Sequence, residues 1–587
     1  MIRLPSRGNR KDKFDKMGGR STPRTALSFN LPVRRARFVQ FMLLAGFAVL
    51  AARALYLQGL TNDFLQRQGE ARYERTLTLP ASRGKILDRN GVVLASSVPA
   101  RAIWAIPEDV NATREQMREL SRLLEIPERD LQTRLDPERT FVYLKRQVPL
   151  QLADEIRALG IGGIHQERES LRLYPQGEVM AHVLGFTNID GNGQEGVELA
   201  FNDALSGTAG SRRVIKDRLG RVVEDVQMIS APVDGADLRL SLDSRLQYLA
   251  FNHLRETIDT YKAQGGSAVV LDARTGEVLA LANLPTYDPN RRVGLTGASL
   301  RNRAFTDSFE PGSTMKPFSV ALALDQRRIA PNSVFKTYGG RFTFAGHTIS
   351  DVSRSTELDV TGILQKSSNI GMTQISERLA SRDMWNTFTA LGLGQAPALG
   401  FPGVAAGRLR PWERWRPIEK ATMSYGYGLS VSLVQLARAY TAFARDGDVT
   451  SISLIKRDSA PTTVPVYTPE VSRTVRGMLE VAAGFARAQV PGYRVAGKSG
   501  TARKIIDGQY SRSRYTASFV GFAPVSNPRI IVAVRIDEPG GEFYYGGRVA
   551  APAFSAIMGG ALRVLGVEPD APFQALHAAA ESQAATR

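Results

Sequence analysis

One uninterrupted apolar run constrains this chain more than any other feature. F-V-Q-F-M-L-L-A-G-F-A-V-L-A-A fills 38–52, and Arg53 with A-L-Y-L-Q-G-L carries it to Leu60. A helix over 38–60 is long enough to cross a bilayer core, which needs about 20 residues. Arg53 is costly at mid-membrane, but near one end its long stem reaches the interface. No other segment is long and apolar enough to span. Arg34, Arg35 and Arg37 stand just before the run, so the positive-inside rule predicts a cytoplasmic N-terminus with everything after Leu60 outside. Ala52-Arg53-Ala54 also has the small-x-small form of a signal-peptidase site. The long basic region and the continuation of the apolar helix past that site favour an uncleaved anchor, with cleavage as the alternative.

The 587 residues are too many for one compact core, so more than one domain is expected. The formal charge of +19 would suit nucleic acid or an anionic membrane surface. Its distribution favours the membrane. Residues 1–37 hold 11 Lys or Arg against Asp12 and Asp15, nearly half of the excess, and such an arm suits anionic lipid. No nucleic-acid partner is expected. The chain has no cysteine, which excludes disulfides, thiol nucleophiles and cysteine-ligated metal. Its five histidines are spread without metal-ligand spacing.

Beyond a basic arm (1–37) and the anchor (38–60), three further blocks are predicted. Residues 61–232 alternate extended pieces such as A-R-A-I-W-A-I with amphipathic helical ones such as R-E-Q-M-R-E-L-S-R-L-L. Within this block R-G-K-I-L-D-R-N-G (83–91) carries an Asn-Gly hairpin signal. Residues 236–566 form a larger α/β block. G-S-A-V-V-L-D-A-R-T-G-E-V-L-A-L-A opens it as a hairpin, and a second strand pair, Y-T-A-S-F-V-G-F-A-P with P-R-I-I-V-A-V-R-I-D, nearly closes it. Strands at both ends with helices between predict one antiparallel sheet joined through the block's termini. Residues 567–587 are small and polar and are expected to be disordered.

The chemistry is carried by three short motifs. Ser-x-x-Lys occurs four times, at Ser82/Lys85, Ser313/Lys316, Ser333/Lys336 and Ser453/Lys456. Only Ser313 follows a Pro-Gly turn and leads into an apolar helical run, Met315, Phe318, Ala321 and Leu322. That places Ser313 at a helix N-terminus with Lys316 one turn on, along the same face. Pro317 is harmless in a first turn, where backbone donors lack partners anyway. A serine hydroxyl is a poor nucleophile until a base takes its proton, and lysine serves only if burial or a neighbouring cation lowers its pKa. A second cation and further polar groups follow in order: Ser367-Ser368-Asn369, a Ser-x-Asn, and Lys498-Ser499-Gly500-Thr501, a Lys-Ser/Thr-Gly.

This ordered trio resembles the three signatures of the penicillin-recognising serine acyltransferases. Outside the site, R-G-K-I-L-D-R-N-G-V-V-L-A (83–95), R-L-Y-P (172–175) and G-Q-E-G-V-E (193–198) resemble the pedestal motifs of class B penicillin-binding proteins. The S-S-N form and S-Y-G-Y-G-L-S-V-S-L-V-Q-L-A-R-A-Y (424–440) are most similar to the septal, FtsI-type members. The resemblance implies an α+β protein: one transmembrane helix, a mixed α/β pedestal, and a transpeptidase domain with an antiparallel sheet flanked by helices. It implies that Ser313 attacks the penultimate D-alanine carbonyl of a stem pentapeptide while Lys316 acts as base. Ser367 and Lys498 relay the proton to the leaving amine, Lys498 also helps keep Lys316 neutral, and Asn369 holds both the donor peptide and Lys316 by hydrogen bonds. The amides of Ser313 and Thr501 form an oxyanion hole, and the hydroxyls of Ser499 and Thr501, flanking Gly500, meet the substrate carboxylate. An acceptor amine completes the reaction, β-lactams acylate Ser313, and no metal or organic cofactor is needed. The implied setting is the inner membrane at the division septum, with an FtsW-type glycosyltransferase and other divisome membrane proteins as partners. An elongation-type enzyme, a D,D-carboxypeptidase or β-lactamase, and a penicillin sensor are the alternatives on the same fold.

Other patterns have plainer readings. G-N-G-Q-E-G (191–196) fits a dinucleotide fingerprint, but no βαβ unit surrounds it and its glutamates would repel a pyrophosphate. A pedestal turn with Glu195 or Glu198 paired to an arginine is expected instead. Neither His253 nor His347 has a nucleophile elbow to serve. Tyr544-Tyr545 either rim the cleft or cap the core, and Tyr425 and Tyr427 are expected to pack beneath the helix that follows them.

Overall fold

The computed structural model describes residues 32–56, 74–216, 222–292 and 294–572. Most of the basic arm, the last residues expected in the membrane (57–60) and the tail from 573 lie outside the described residues. The chain forms two compact units, one of residues 1–77 with 211–229 and one of 78–210 with 230–587.

In the first unit, helix α1 (Val33–Leu55) begins five residues before the expected apolar run. Arg34, Arg35 and Arg37 are therefore helical: Pro32 is the extended N-cap, and the chain winds directly after it. Arg53 falls in the last turn, where an arginine reaches the interface. At about 1.5 Å per residue the helix is long enough for a bilayer core. Phe38, Phe41, Leu44, Phe47 and Leu50 are all exposed, as lipid-facing residues must be. Among the described residues it is the one helix long and apolar enough to cross a membrane, as a single-pass anchor requires. The unit also holds a three-stranded sheet, Glu74–Leu79, Gly210–Lys216 and Val222–Ser230 in that order.

The second unit contains both the pedestal and the transpeptidase segments. In the pedestal, β1 (Ile86–Leu87) and β2 (Val93–Ala105) form the expected Asn-Gly hairpin. Strand β3 (Val142–Pro149) and strand β4 (Ile164–Leu173) both pair with β2, and β5 (Leu238–Arg239) runs parallel to β1. The predicted amphipathic helix spans Arg114–Leu124, opened by a capping box between Thr113 and Gln116. Its Leu120, Leu123 and Leu124 fill a small core with Ile103, Leu144 and Ile156.

Helix α2 (Ser244–Tyr261) leads into the larger sheet, with strands β6 (Gly265–Asp272) and β7 (Val278–Leu284). Helices α3 (Lys316–Asp325), α4 (Asn369–Glu377) and α5 (Pro469–Phe485) intervene before β8 (Ala496–Ile506), β9 (Gln509–Ala523) and β10 (Ile530–Asp537). The order β7-β6-β10-β9-β8 is antiparallel throughout, so the first and last strand pairs meet at β6 and β10. Every residue of β6, β7 and β10 is buried, which requires cover on both faces. The period of two supplies it. Val270, Val532 and Phe519 pack with Phe251 of α2 and Phe554 of α6 (Gly546–Val564), while Val269, Ala533 and Val520 face Phe318 of α3 and its surroundings. β8 is left as an edge strand, and the site lies along it.

Pedestal and transpeptidase segments share one core: Leu94, Tyr174 and Val197 belong to the same apolar cluster as Phe318 and Tyr440. Their polar seam explains the pedestal motifs. Glu198, fully buried, accepts from Arg83 Nε (2.7 Å) and Arg172 Nε (2.7 Å), with Tyr174 OH at 3.4 Å. R-G-K, R-L-Y-P and G-Q-E-G-V-E thus meet at one carboxylate, and of the two glutamates considered it is Glu198 that pairs. From the hairpin, Asp88 accepts from Ser244 Oγ (2.8 Å) at the start of α2, and Asn90 donates to Asp243 (3.0 Å).

A buried carboxylate with two arginines is stabilising only while complete, because removing one charge strands the others. Glu198→Ala should cost about 3 kcal/mol or more, read as a lower urea midpoint of the purified protein. Glu195→Ala should cost well under half of that. Equal losses would mean that the Arg83–Glu198–Arg172 cluster does not hold the pedestal together.

Candidate active site

Ser313 stands on a turn held by close backbone packing. Gly312 adopts φ +57°, and its N–H donates to Gly426 O at 3.0 Å. Gly426 has φ +89°, and a Cβ there would lie 2.0 Å from Gly312 O. The S-Y-G-Y-G segment can therefore press on the serine turn only with glycine at 426. The predicted helix start is present in modified form: Gly312–Met315 is a 3-10 turn, and α3 begins at Lys316 with Pro317 in its first turn. Pro317 has no N–H to bond back to the Ser313 carbonyl, so a tighter turn precedes the helix, with Lys316 itself already in α geometry. Tyr440 OH donates to Thr314 O (2.8 Å) and pins that turn from below.

α3 is buried on every side from Lys316 to Leu324, and so it carries the lysine amine into the interior. Lys316 Nζ donates to Ser367 O (2.5 Å) and Ser367 Oγ (3.1 Å) and lies 6.0 Å over the Tyr425 ring. Burial pushes its pKa well below the ordinary lysine value. The neighbouring Lys498 charge lowers it further, and Asp351 opposes both. Lys498, also buried, is lowered by desolvation to about 8 and donates to Ser499 O (3.1 Å). Both amines are thus held below the ordinary lysine value, Lys316 by burial and by the Lys498 charge, Lys498 by burial alone.

The S-S-N segment is a strained turn ahead of α4. Ser367 sits at φ +59°, a region uncommon outside glycine, and this brings both its carbonyl and its hydroxyl to Lys316. Ser368 caps α4 by accepting from Gly371 N–H (2.9 Å). Asp351, which no sequence signal singled out, accepts from the amides of Asn369 (2.6 Å) and Ile370 (3.1 Å) and from the Ser368 hydroxyl. It therefore fixes the turn that positions Ser367 and Asn369. Asn369 Nδ2 donates to Ser350 O at 3.2 Å.

Along β8, Thr501 Oγ1 accepts from Gly546 N–H (3.0 Å), which leaves its own hydrogen free to donate. Gly500 lies elsewhere than expected for a ligand contact. It is buried, and a Cβ there would meet Ser518 Oγ at 2.5 Å and Pro311 O at 2.8 Å. Its position lets the edge strand pack against the serine turn.

A cleft of about 850 Å³ gathers these groups. Ser313, Ser367, Asn369, Lys498, Ser499, Thr501 and Tyr544 all line it; Lys316 and Gly500 do not, and Lys316 meets the cleft through Ser367. Tyr544 is a rim residue, stacked on Tyr515 at 4.1 Å between ring centres. Tyr425 packs beneath as expected, whereas Tyr427 lines the cleft, because the glycines on either side of it let its ring turn outward toward Tyr510. Tyr515 was not legible as a site residue, since it belongs to a strand whose facing is set by the sheet. Glu310, beside the serine turn, accepts from Gly428 N–H (2.8 Å) and Tyr510 OH (3.1 Å), and burial raises its pKa. Ser82, Ser333 and Ser453 lie outside the cleft wall, as do His253 and His347.

Comparison with known proteins agrees with this geometry. Residues 266–559 match the penicillin-binding protein transpeptidase domain, and residues 78–240 match the penicillin-binding protein dimerisation domain. The chain belongs to the class B penicillin-binding proteins. It is 44% identical to the probable peptidoglycan D,D-transpeptidase PenA of Neisseria gonorrhoeae, over 92% of this chain and 94% of that one. It is 43% identical to the peptidoglycan D,D-transpeptidase FtsI of Escherichia coli K12, over 90% and 91%. Among solved structures, the transpeptidase domain of Burkholderia pseudomallei penicillin-binding protein 3 is 50% identical with a TM-score of 0.53, covering 57% of this chain and 98% of its own. Mycobacterium tuberculosis penicillin-binding protein 3 in complex with aztreonam is 28% identical with a TM-score of 0.66, covering 84% and 99%.

In this class B protein the depressed Lys316 pKa has a stability consequence. Between its folded pKa and the ordinary value of 10.5 the unfolded chain binds one more proton, so folding is penalised there and stability rises with pH. Lys316→Met should abolish acylation by a fluorescent penicillin while keeping or raising the thermal midpoint at pH 7. It should also flatten the rise in stability with pH. A marked fall in the midpoint would show that the amine stabilises the fold.

Proposed function

We propose that this class B penicillin-binding protein is a serine D,D-transpeptidase that cross-links peptidoglycan stem peptides during septal wall synthesis. The observation that carries the reading is the buried Lys316 amine, bonded to Ser367 and pushed well below the ordinary lysine pKa, behind one cleft lined by Ser313, Ser367, Asn369, Lys498, Ser499 and Thr501. In that reading the Ser313 hydroxyl proton passes to Lys316 Nζ as the Ser313 oxygen bonds to the penultimate D-alanine carbonyl carbon. The amides of Ser313 and Thr501 hold the oxyanion. As the C–N bond breaks, the terminal D-alanine amine takes a proton through Ser367 and Lys498. An amine from a neighbouring stem then attacks the ester and regenerates the Ser313 hydroxyl. Ser499 and the donating Thr501 hydroxyl bind the substrate carboxylate, with Asn369 on the peptide and Tyr544 on the rim.

The division role rests on the likeness to FtsI and PenA and on the S-S-N and 424–440 segments. The basic residues ahead of α1 orient the N-terminus to the cytoplasm, placing the catalytic body outside the inner membrane at the septum. The anchor then acts beside an FtsW-type glycosyltransferase and other divisome membrane proteins. The functional divisions are an arm (1–37), an anchor (38–60), a pedestal (61–232), a transpeptidase domain (236–566) and a tail (567–587).

A fluorescent penicillin should label the full-length protein, and Ser313→Ala should lose all labelling. Alanine at Ser82, Ser333 or Ser453 should leave it intact; a Ser313→Ala protein that still labels would refute the assignment. With a D-Ala-D-Ala peptide and an added D-amino acid acceptor, exchange should outrun hydrolysis. The opposite ratio would make the protein a carboxypeptidase.

A further inference from the structure

The charge of the cleft wall exceeds what one terminal carboxylate requires. Five cations line it, Lys366, Arg487, Lys498, Arg503 and Arg548, and no aspartate or glutamate does. A cleft of one sign with low-dielectric walls focuses its potential on the ligand. Lys498 belongs to the chemical centre already described. Arg487 and Arg548 stand apart from it, in an arm of the same cleft floored by Tyr261, Ala482, Phe485 and Pro552.

These two arginines are displayed with no acidic partner. Both side chains are exposed, and among the described residues neither forms an ion pair. Arg548 instead lies over the Phe543 ring at 4.6 Å. Several arginines elsewhere in the second unit are paired: Arg83 and Arg172 on Glu198, Arg494 on Glu480, Arg445 on Asp448. Both positions are also fixed by the backbone. Arg487 follows the end of α5 at φ +58°, and its N–H donates to Gly484 O (3.1 Å). Arg548 lies in the first turn of α6, and its carbonyl accepts from Tyr261 OH (2.9 Å). Gly547, in contact distance of Ala486, brings the two helix ends together. An apolar floor between two arginines of fixed backbone suits an extended chain bearing a carboxylate, because each guanidinium fork can grip two oxygens.

We propose that this arm is a subsite for a second carboxylate of the peptide substrate, carried on a side chain or branch remote from the D-alanine terminus. The inference rests on the transpeptidase reading and deepens it: the enzyme selects stems that are polyanionic, and binding energy gained far from Ser313 aligns the scissile carbonyl. A stem whose internal carboxylates are amidated loses that energy while keeping the terminus that Ser499 and Thr501 hold.

The test uses two D-Ala-D-Ala pentapeptides that differ only in whether the internal side-chain carboxylate is free or amidated. Both are offered to the full-length protein in detergent, and acyl-enzyme formation at Ser313 is followed by mass spectrometry. The acid should show kcat/KM roughly tenfold above the amide, on the scale of one charge-assisted contact. In Arg487→Asn/Arg548→Gln the acid-to-amide ratio should fall to near one. Asparagine is chosen at 487 because it tolerates the left-handed backbone there. Arg548→Glu should drive the ratio below one, a reversal that misfolding cannot mimic because both peptides are read on the same protein. Equal rates for acid and amide on the wild type, with Ser313 acylated, would overturn the subsite alone, as would an unchanged ratio in the variants. Absence of any acyl-enzyme at Ser313 with either peptide would overturn the transpeptidase reading and the subsite together.

Discussion

Everything at this site depends on a lysine amine taken out of water. An ammonium in an apolar interior is unfavourable by several kcal/mol unless it is paired, and Lys316 has no carboxylate in contact. The protein gives it the Ser367 carbonyl and hydroxyl, and burial with a second cation nearby pushes its pKa well below the ordinary lysine value. A lowered pKa is what the proposed role of Lys316 as base requires, since an ordinary lysine is an acid in water. The surrounding architecture follows from the need to keep that amine dry and fixed. α3 is buried on every side, Tyr425 covers the amine, and Asp351 locks the strained turn that supplies its partners.

The same constraint explains why the sheet ends where it does. β8 has only one neighbour, β9, so its outer edge is free to face the cleft. Gly500 lets that edge touch the serine turn, and Gly426 lets the segment on the far side touch it as well. Two glycines thus fix the distance between the nucleophile and the strand that carries Lys498. The pedestal is joined to this body by a shared apolar core and by charges that cannot be left unpaired. Glu198 draws Arg83 and Arg172 together, and Asp88 and Asn90 fasten the hairpin to the start of α2. Such contacts hold a rigid body together because each loses its value when broken.

Much of this was legible in advance. The strand pairs at either end of the transpeptidase block alternate cleanly, and they meet in the sheet as their pattern requires. Ser313 was separable from three equal spacings because Pro-Gly and a following apolar run announce a helix start. The exceptions have physical reasons. The membrane helix starts at Val33 instead of residue 38 because hydropathy registers side chains, whereas Pro32 sets where the backbone can begin to wind. Asp351 was invisible because it lies in a polar loop and acts through backbone amides distant in sequence. Tyr427 and Tyr515 were invisible as cleft residues because an aromatic beside glycine or on a strand carries no mark of which side it will face.

The sequence by itself determined the inventory and the order: one membrane-spanning run, a serine and lysine one turn apart, a Ser-x-Asn and a Lys-Ser-Gly downstream, and strands with a period of two. These are local properties, set by spacing and by side-chain polarity. Only the tertiary structure decided that both lysines lie below their ordinary pKa, because that depends on how far each amine is buried and on how near the other charge lies. It also decided that Gly500 is a packing residue, that Asp351 fixes the catalytic turn, and that arginines from the ends of two helices face the same cleft. Those outcomes follow from distances between segments remote in sequence, which only the folded chain brings into contact.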